Sequence, residues 1–202
     1  MRTKTNVRGY TDKEIFDRLE YLDSTGELKF KRTFGLPLII NIQSKEDAFN
    51  VFDDKSYLYT PSNDFVMVTS ITTNAGKTGL FSFDRYNSKG VAVLKTDVFY
   101  PRGYKYGLHR GGMEALRQNV PFLHYRDGNK NKRAEEIGKL YNEIIWANYH
   151  GVDYNKLSVK LQMFINGWSL VCQTCNDMID YRKIIAYVKP FKEVDFALLK
   201  EW

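Results

Sequence analysis

Cys172 and His150 are two side chains of the C-terminal half that together could carry out nucleophilic chemistry. A thiolate attacks carbonyl carbons readily, and an imidazole is a common base for activating a thiol. Apolar and aromatic residues precede each of them, which predicts two short strands, one over residues 168–171. Residues 176–185 have apolar side chains at helical spacing. We therefore predict that Cys172 lies between a strand end and a helix N-terminus, where the helix dipole and an imidazole lower the pKa of the thiol.

The same stretch allows three other interpretations. Cys172 and Cys175 have the spacing of a redox pair, although the β-α-β pattern of thioredoxin-like proteins is missing. A zinc site would need two further ligands from the three histidines, because there is no second Cys-x-x-Cys. In the simplest interpretation, Cys172 is a buried core thiol and His150 only closes a strand.

Three other side chains have candidate roles. His109 and Arg110 are adjacent and could bind an anionic group such as a carboxylate, or form a half-buried structural pair. His124 alternates with apolar and aromatic neighbours and is predicted to be structural. Trp168 is predicted to lie in the core.

The composition indicates one packed domain and not a disordered chain. The 202 residues are 43% hydrophobic and 15% aromatic, with a net charge of +6. The positive charge favours polyanionic partners, including phosphate-bearing cell-wall polymers. No basic helix with interleaved aromatic residues indicates a specific nucleic-acid module. The N-terminus lacks the apolar segment of a secretory signal, and no apolar run is long enough to span a bilayer, so we expect synthesis in a cytoplasm with reduced cysteines.

The hydrophobic pattern predicts many short strands and a few helices, without a regular β-α-β alternation. This indicates an α+β fold with a largely antiparallel sheet and a few packing helices. We divide the chain into an N-terminal helical or extended appendage, 1–50, and a main domain, 51–202. The predicted helices are 11–23, 44–52, 113–118, 133–142, 176–185 and 194–199, and the predicted strands are 28–34, 36–42, 57–59, 65–71, 80–83, 91–94, 122–125 and 168–171.

Two ordered segments resemble the signature of the L,D-transpeptidase family. The first is His150-Gly151, and the second is Ser-Leu-Val-Cys-Gln at residues 169–173. In that family a histidine-bearing strand precedes a Ser/Thr-His-Gly-Cys-Arg segment that carries the nucleophile. The order of the two segments along the chain gives the resemblance its value.

The second half of the chain also resembles phage proteins with three further stretches. Here these are Gly-Leu-His-Arg-Gly at 107–111, Tyr-Arg-Asp at 125–127 and Trp-Ser-Leu-Val-Cys-Gln at 168–173. The resemblance extends upstream through residues 52–55 and 72–74.

The resemblance implies an L,D-transpeptidase-like domain and a bacteriophage cysteine hydrolase that acts on the stem peptides of bacterial peptidoglycan. Cys172 matches the nucleophile and His150 the base, and Ser169 would orient this pair or bind substrate. No metal or cofactor is expected. The predicted substrate-binding residues are His109, Arg110, Tyr149 and Gln173.

A second hypothesis keeps the same fold without catalysis. The protein would then be a structural component of the virion or a cell-wall-binding protein. In both hypotheses the protein is made in the host cytoplasm and acts in the virion or at the host wall. Its expected partners are peptidoglycan and other virion proteins.

The chain departs from the family pattern beside the nucleophile. Val171 stands where the family has Gly, Leu170 where it has His, and Gln173 where it has Arg. A β-branched residue resists backbone conformations that Gly permits, and backbone donors near the cysteine would form the oxyanion hole. We therefore predict weak or absent wall hydrolysis in the wild type, with a gain on Val171→Gly.

Overall fold

The computed structural model of the protein describes residues 8–45, 51–76, 90–109, 112–127, 136–152 and 171–202. These ranges contain two α-helices, α1 (Asp12–Ser24) and α2 (Met178–Val188), and a 3-10 helix, Lys189–Phe191. Neither of the two described helices is long and apolar enough to cross a membrane. The described strands are β1 (Leu38–Gln43), β2 (Asp54–Tyr59), β3 (Phe65–Thr72), β4 (Ala92–Leu94), β5 (Val98–Leu108), β6 (Glu114–Gln118), β7 (Phe122–Arg126), β8 (Tyr141–Glu143), β9 (Tyr149–Gly151), β10 (Gln173–Cys175) and β11 (Glu193–Lys200).

Eight of these strands close into a barrel in the order β1-β11-β5-β6-β9-β10-β3-β2. The pairs β1–β11 and β9–β10 are parallel, and the other neighbours around the barrel are antiparallel. Strands β4, β7 and β8 form a separate antiparallel sheet. The fold is therefore α+β with mostly antiparallel pairing, as predicted, whereas the sequence pattern does not predict closure into a barrel.

Helix α1 packs against the barrel. The backbone N–H of Glu14 donates to Thr11 Oγ1, and the N–H of Thr11 donates to the Glu14 carboxylate. This capping box confirms the predicted helix start. The apolar face of α1 packs with residues of β1, β2 and β11 through Ile15, Leu19 and Leu22.

Strand β1 comes from the segment that we assigned to an N-terminal appendage, and it pairs with β2 and β11 in the barrel. Its residues are all buried. Ile39 belongs to the larger hydrophobic cluster, here called the central core, whereas Ile40 belongs to the cluster that includes α1. Both faces are covered, so the strand has buried apolar residues on both sides, and Asn41 and Gln43 are buried polar residues on the side of Ile39. This confirms the buried strand predicted at 36–42.

Helix α2 packs its apolar face into the central core. The Asp177 side chain caps it by accepting hydrogen bonds from the N–H groups of Ile179 and Asp180. This confirms the helix predicted over 176–185. The buried residues of α2 are Tyr181, Ile184, Ile185 and Val188.

Several predicted elements are wrong. The helices predicted at 113–118 and 194–199 are strands β6 and β11, and residues 136–142 contain no helix. The segment 28–34 is not a strand. The error at β11 has a clear cause. This strand is covered by the central core on one side and by the α1 cluster on the other, so its apolar residues show no period of two.

Candidate active site

Strands β9 and β10 place Cys172 and His150 on the same face of the barrel wall. The strands are parallel neighbours, with Tyr149 opposite Gln173 and His150 opposite Thr174. Side chains alternate between the two faces of a strand, so the side chains of His150 and Tyr149 lie on opposite faces of the sheet. Cys172 comes directly before Gln173 and therefore shares the face of Thr174 and His150.

His109 joins this pair from the turn between β5 and β6. Its backbone N–H donates to the carbonyl oxygen of Met113 at 2.7 Å. The rings of His109 and His150 have centroids 4.7 Å apart. One ligand atom from each of His109, His150 and Cys172 lies within 4.8 Å of the other two. The structure thus brings together the predicted nucleophile, the predicted base and one predicted substrate-binding residue, and the three side chains have donor atoms that could hold a metal ion.

The backbone of β9 fixes the tautomer of His150. Its Nδ1 atom lies 2.9 Å from the carbonyl oxygen of Gly151. A carbonyl oxygen only accepts hydrogen bonds, so Nδ1 carries the proton and Nε2 of the neutral ring carries a lone pair. Nε2 is buried and has no hydrogen-bond partner among the described residues. Nε2, which has no hydrogen bond to the backbone, therefore carries the lone pair that a catalytic base requires.

Burial keeps both members of the pair uncharged. It lowers the pKa of His150 to about 4, with a smaller contribution from His109 in the same direction and an opposing one from the Gly151 hydrogen bond. It raises the pKa of Cys172 to about 11, against hydrogen bonds with the backbone of Asn148 and Val171. At neutral pH the site therefore holds a thiol and a neutral imidazole.

The predicted lowering of the Cys172 pKa is wrong, because the local structure differs from the expectation. Cys172 directly precedes strand β10, and Val171 before it is not part of a strand. Helix α2 begins only at Met178, and its first amides already donate to Asp177. The thiol hydrogen instead reaches the carbonyl oxygen of Trp146, with Sγ 3.3 Å away. The thiol thus lacks the helix dipole that was expected to stabilise a thiolate.

Cys175 lies on the opposite face from Cys172. Three residue steps of about 3.3 Å along a strand separate their Cα atoms by about 10 Å, beyond the roughly 7 Å limit for a disulfide. Cys175 is fully buried, and its Sγ lies 3.6 Å from Thr69 Oγ1 and 3.3 Å from the Asp177 carbonyl oxygen. No disulfide joins the two cysteines. The geometry argues against a Cys-x-x-Cys redox pair.

Tyr149 and Gln173, two predicted substrate-binding residues, lie on the inner side of the barrel wall. Both are completely buried. The hydroxyl of Tyr149 donates to Ser56 Oγ at 3.2 Å, and Gln173 Oε1 accepts from Asn41 Nδ2 at 2.9 Å. The structure does not bring them to the face that carries Cys172. Their observed contacts hold β9 and β10 to β2 and β1.

The other predicted site residues, Ser169 and Arg110, lie outside the described residues, as does Trp168. The strand predicted at 80–83 also lies outside the described residues. The same is true of most of the strand predicted at 168–171 and most of the helix predicted at 44–52. His124, predicted to be structural, is fully buried in the separate sheet, and its Nδ1 lies 3.1 Å from the Phe122 carbonyl oxygen.

Trp146 is a neighbour of the thiol that sequence reasoning missed. Its φ is +61°, a left-handed conformation that aromatic residues rarely adopt. Its carbonyl oxygen accepts from Cys172 Sγ and from the N–H of Asn148. Trp146 is 58% exposed, and the Arg117 guanidinium lies 5.3 Å from the centroid of its indole ring. No local sequence signal predicts this conformation, because aromatic residues rarely adopt it.

Val171 is the residue that the resemblance matches to a glycine of the transpeptidases. It is not among the non-glycine residues with positive φ in the described parts of the chain. Its side chain is buried in the central core. The backbone at this position therefore does not need the conformational freedom of glycine.

The upstream motifs meet in a buried polar cluster. Asp54 Oδ2 accepts from the N–H of Thr73 at 2.6 Å and from its hydroxyl at 2.7 Å. Asp54 Oδ1 accepts from the N–H of Ser44 at 2.8 Å. The Gln43 side-chain amide donates to Thr73 Oγ1 at 2.9 Å. This cluster joins the ends of β1, β2 and β3, so the observed role of residues 52–55 and 72–74 is to hold the barrel strands together.

Comparison with family models, curated proteins and solved structures found no match for the chain. The assignment of a function therefore rests on the geometry of the site and on its motifs.

Proposed function

We propose that the protein is a phage-type cysteine hydrolase of bacterial peptidoglycan, with a Cys172–His150 dyad on a fold like that of the L,D-transpeptidases. One observation carries the catalytic part of the proposal. The thiol and an imidazole of fixed tautomer lie on one face, with their donor atoms within 4.8 Å. Peptidoglycan as the substrate is supported by the resemblance of the motifs around His150 and Cys172.

The dyad would act as a neutral pair. As Sγ of Cys172 attacks an amide carbonyl carbon, Nε2 of His150 takes the thiol proton. The tetrahedral intermediate then collapses, the C–N bond breaks, and the Nε2 proton passes to the leaving amine. Water hydrolyses the resulting thioester and restores the thiol. The hydrogen bond from Nδ1 to the Gly151 carbonyl oxygen keeps the ring in the tautomer that these proton transfers need.

The stem peptide suits the charges of the protein. Stem peptides carry carboxylates, and the chain has a net charge of +6. His109 lies beside the dyad, where it can contact a group next to the scissile amide. Arg117, over Trp146, adds a cation close to the residue whose carbonyl oxygen contacts Cys172.

The test is release of soluble muropeptides from purified cell wall. Wild-type protein should release them, and Cys172→Ala and His150→Gln should reduce release to background, because they remove the nucleophile and the base. Cys175→Ala is the matched control, since it removes the other buried thiol from the opposite face. Equal release by wild type and Cys172→Ala would exclude the dyad mechanism.

The burial of the thiol favours a second candidate function, a wall-binding or virion protein without catalysis. Cys172 is only 8% exposed, and its pKa is raised to about 11. Wild-type protein that sediments with purified wall but releases no muropeptides would support this candidate. Such binding should be unchanged in Cys172→Ala, because it does not use the thiol.

A further inference from the structure

We infer that His109, His150 and Cys172 form a three-ligand binding site for Zn²⁺. The three side chains come from three separate parts of the chain: the turn after β5, strand β9 and the residue before β10. Their ligand atoms lie within 4.8 Å of one another. The inference does not rest on the proposed hydrolase activity, because a metal site requires only these atoms.

His150 is already arranged as a metal ligand. Metal-bound histidines usually donate their second ring N–H to a carbonyl or carboxylate, which fixes the ring and its tautomer. Nδ1 of His150 makes such a bond with the Gly151 carbonyl oxygen at 2.9 Å. The other nitrogen, Nε2, is buried in a side chain that is only 2% exposed, and it has no partner among the described residues. A metal ion would satisfy this buried lone pair.

The distances require only a small adjustment. In a tetrahedral site with Zn–N near 2.0–2.1 Å and Zn–S near 2.3 Å, ligand atoms lie about 3.3–3.6 Å apart. The observed upper limit of 4.8 Å is little more than 1 Å longer. His109 is half-buried and directly follows β5, so it is the least enclosed of the three ligands.

The donor set favours Zn²⁺ over the hard cations. Two imidazole nitrogens and one thiolate suit Zn²⁺, whereas Mg²⁺ and Ca²⁺ prefer oxygen ligands. Binding would release the Cys172 proton to solvent and form a Zn–S bond. Three protein ligands leave the fourth coordination position for water, as in catalytic zinc sites. A thiolate that shares a lone pair with Zn²⁺ is a weaker nucleophile, so Zn²⁺ would inhibit any chemistry that uses the Cys172 thiol.

The inference can be tested with Co²⁺ as a spectroscopic substitute and with Zn²⁺ as its competitor. Metal-free wild-type protein should bind one Co²⁺ and develop a thiolate-to-cobalt charge-transfer band that Zn²⁺ abolishes. Cys172→Ala should lose the band, and His109→Gln should weaken binding at least tenfold. Cys175→Ala and His124→Gln are matched controls, because they change the other cysteine and a histidine of the separate sheet. Circular dichroism without metal establishes that each variant is folded.

Absence of the band in wild-type protein would overturn the inference, and so would a band that persists unchanged in Cys172→Ala. Equal Co²⁺ affinity of wild type and His109→Gln would show that the site does not have these three ligands. If the protein binds Zn²⁺ at this site but releases no muropeptides in its metal-free form, the metal site stands and the proposed function is rejected. Wall hydrolysis by a protein that shows no charge-transfer band would support the proposed function and reject the metal site.

Discussion

Burial shifts the pKa of Cys172 and the pKa of His150 in opposite directions, so that both side chains are neutral over a wide pH range. A neutral pair does not hold a preformed thiolate, and the base must act during the attack. The backbone supports this role, because the Gly151 carbonyl oxygen leaves Nε2 as the proton acceptor. Val171, next to the thiol, is the position where the site departs most clearly from the transpeptidase pattern.

We expect Val171→Gly to destabilise the protein without raising its activity, and this expectation replaces the gain predicted from the sequence. The side chain lies in the central core, and the φ angle is not in the left-handed region, so glycine offers no needed conformation. Loss of a buried valine side chain and the added freedom of glycine together cost roughly 2–4 kcal/mol. Urea unfolding measures this loss, and muropeptide release at matched folded fraction measures activity. Val171→Ala is the control that removes most of the side chain without introducing glycine. A rise in release for Val171→Gly over both other proteins would show that glycine creates an oxyanion site.

At the scale of the elements, the contact between β9 and α2 fixes the position of His150. Gly151 faces α2, and a Cβ atom at this position would lie 2.5 Å from Met178 Sδ and 2.8 Å from Tyr181 Cδ1. The absence of a side chain at Gly151 therefore lets the helix approach the strand. The residue before it, His150, is held in place by the same short strand.

We expect Gly151→Ala to lower the free energy of unfolding by about 1–3 kcal/mol, the usual cost of overpacking a tight contact. It should also displace β9 and reduce any activity that depends on His150. Gly107→Ala is the matched control, because its Cβ would meet only the flexible Arg117 side chain, at 3.1 Å. Urea unfolding of both variants provides the comparison. If the two variants are equally stable, the contact between Gly151 and α2 is looser than the structure indicates.

Elements with local signals could be predicted from the sequence. The capping box at Thr11 and the apolar spacing in 176–185 define α1 and α2 because each depends on neighbouring residues. The site itself depends on pairing between distant segments. Parallel pairing of β9 with β10 sets the face of Cys172, and the β5–β6 turn brings His109 to it. The resemblance predicts the Cys172–His150 pair, but not this pairing or the burial that reverses the expected pKa shift.

At the scale of the whole molecule, the barrel is closed by strands that start far apart in the chain. Strand β1 lies between β2 and β11, and β10 lies between β9 and β3. Polar side chains inside this wall join the strands: Asn41 donates to Gln173, and Gln43 donates to Thr73. Asp54 accepts from Ser44 and Thr73, and it is an ionisable group within this network. Its charge couples the stability of the barrel to pH.

Burial raises the pKa of Asp54 from its ordinary value of 3.8 to about 6, because desolvation outweighs the hydrogen bonds from Ser44 and Thr73. A carboxyl group whose folded-state pKa is raised contributes stability below its unfolded pKa and loses that contribution as pH rises through the folded pKa. We therefore expect the difference in free energy of unfolding between wild type and Asp54→Asn to fall from pH 4 to pH 7, by up to about 3 kcal/mol.

Urea unfolding of both proteins across this pH range measures the difference, and the neutral amide of the variant removes the titration. Asp17→Asn is the control for the change in net charge, because Asp17 is an exposed residue of α1 paired with Lys13. A wild-type advantage over Asp54→Asn that grows towards pH 7 would contradict the expectation. It would mean that the hydrogen bonds from Ser44 and Thr73 stabilise the carboxylate by more than burial destabilises it.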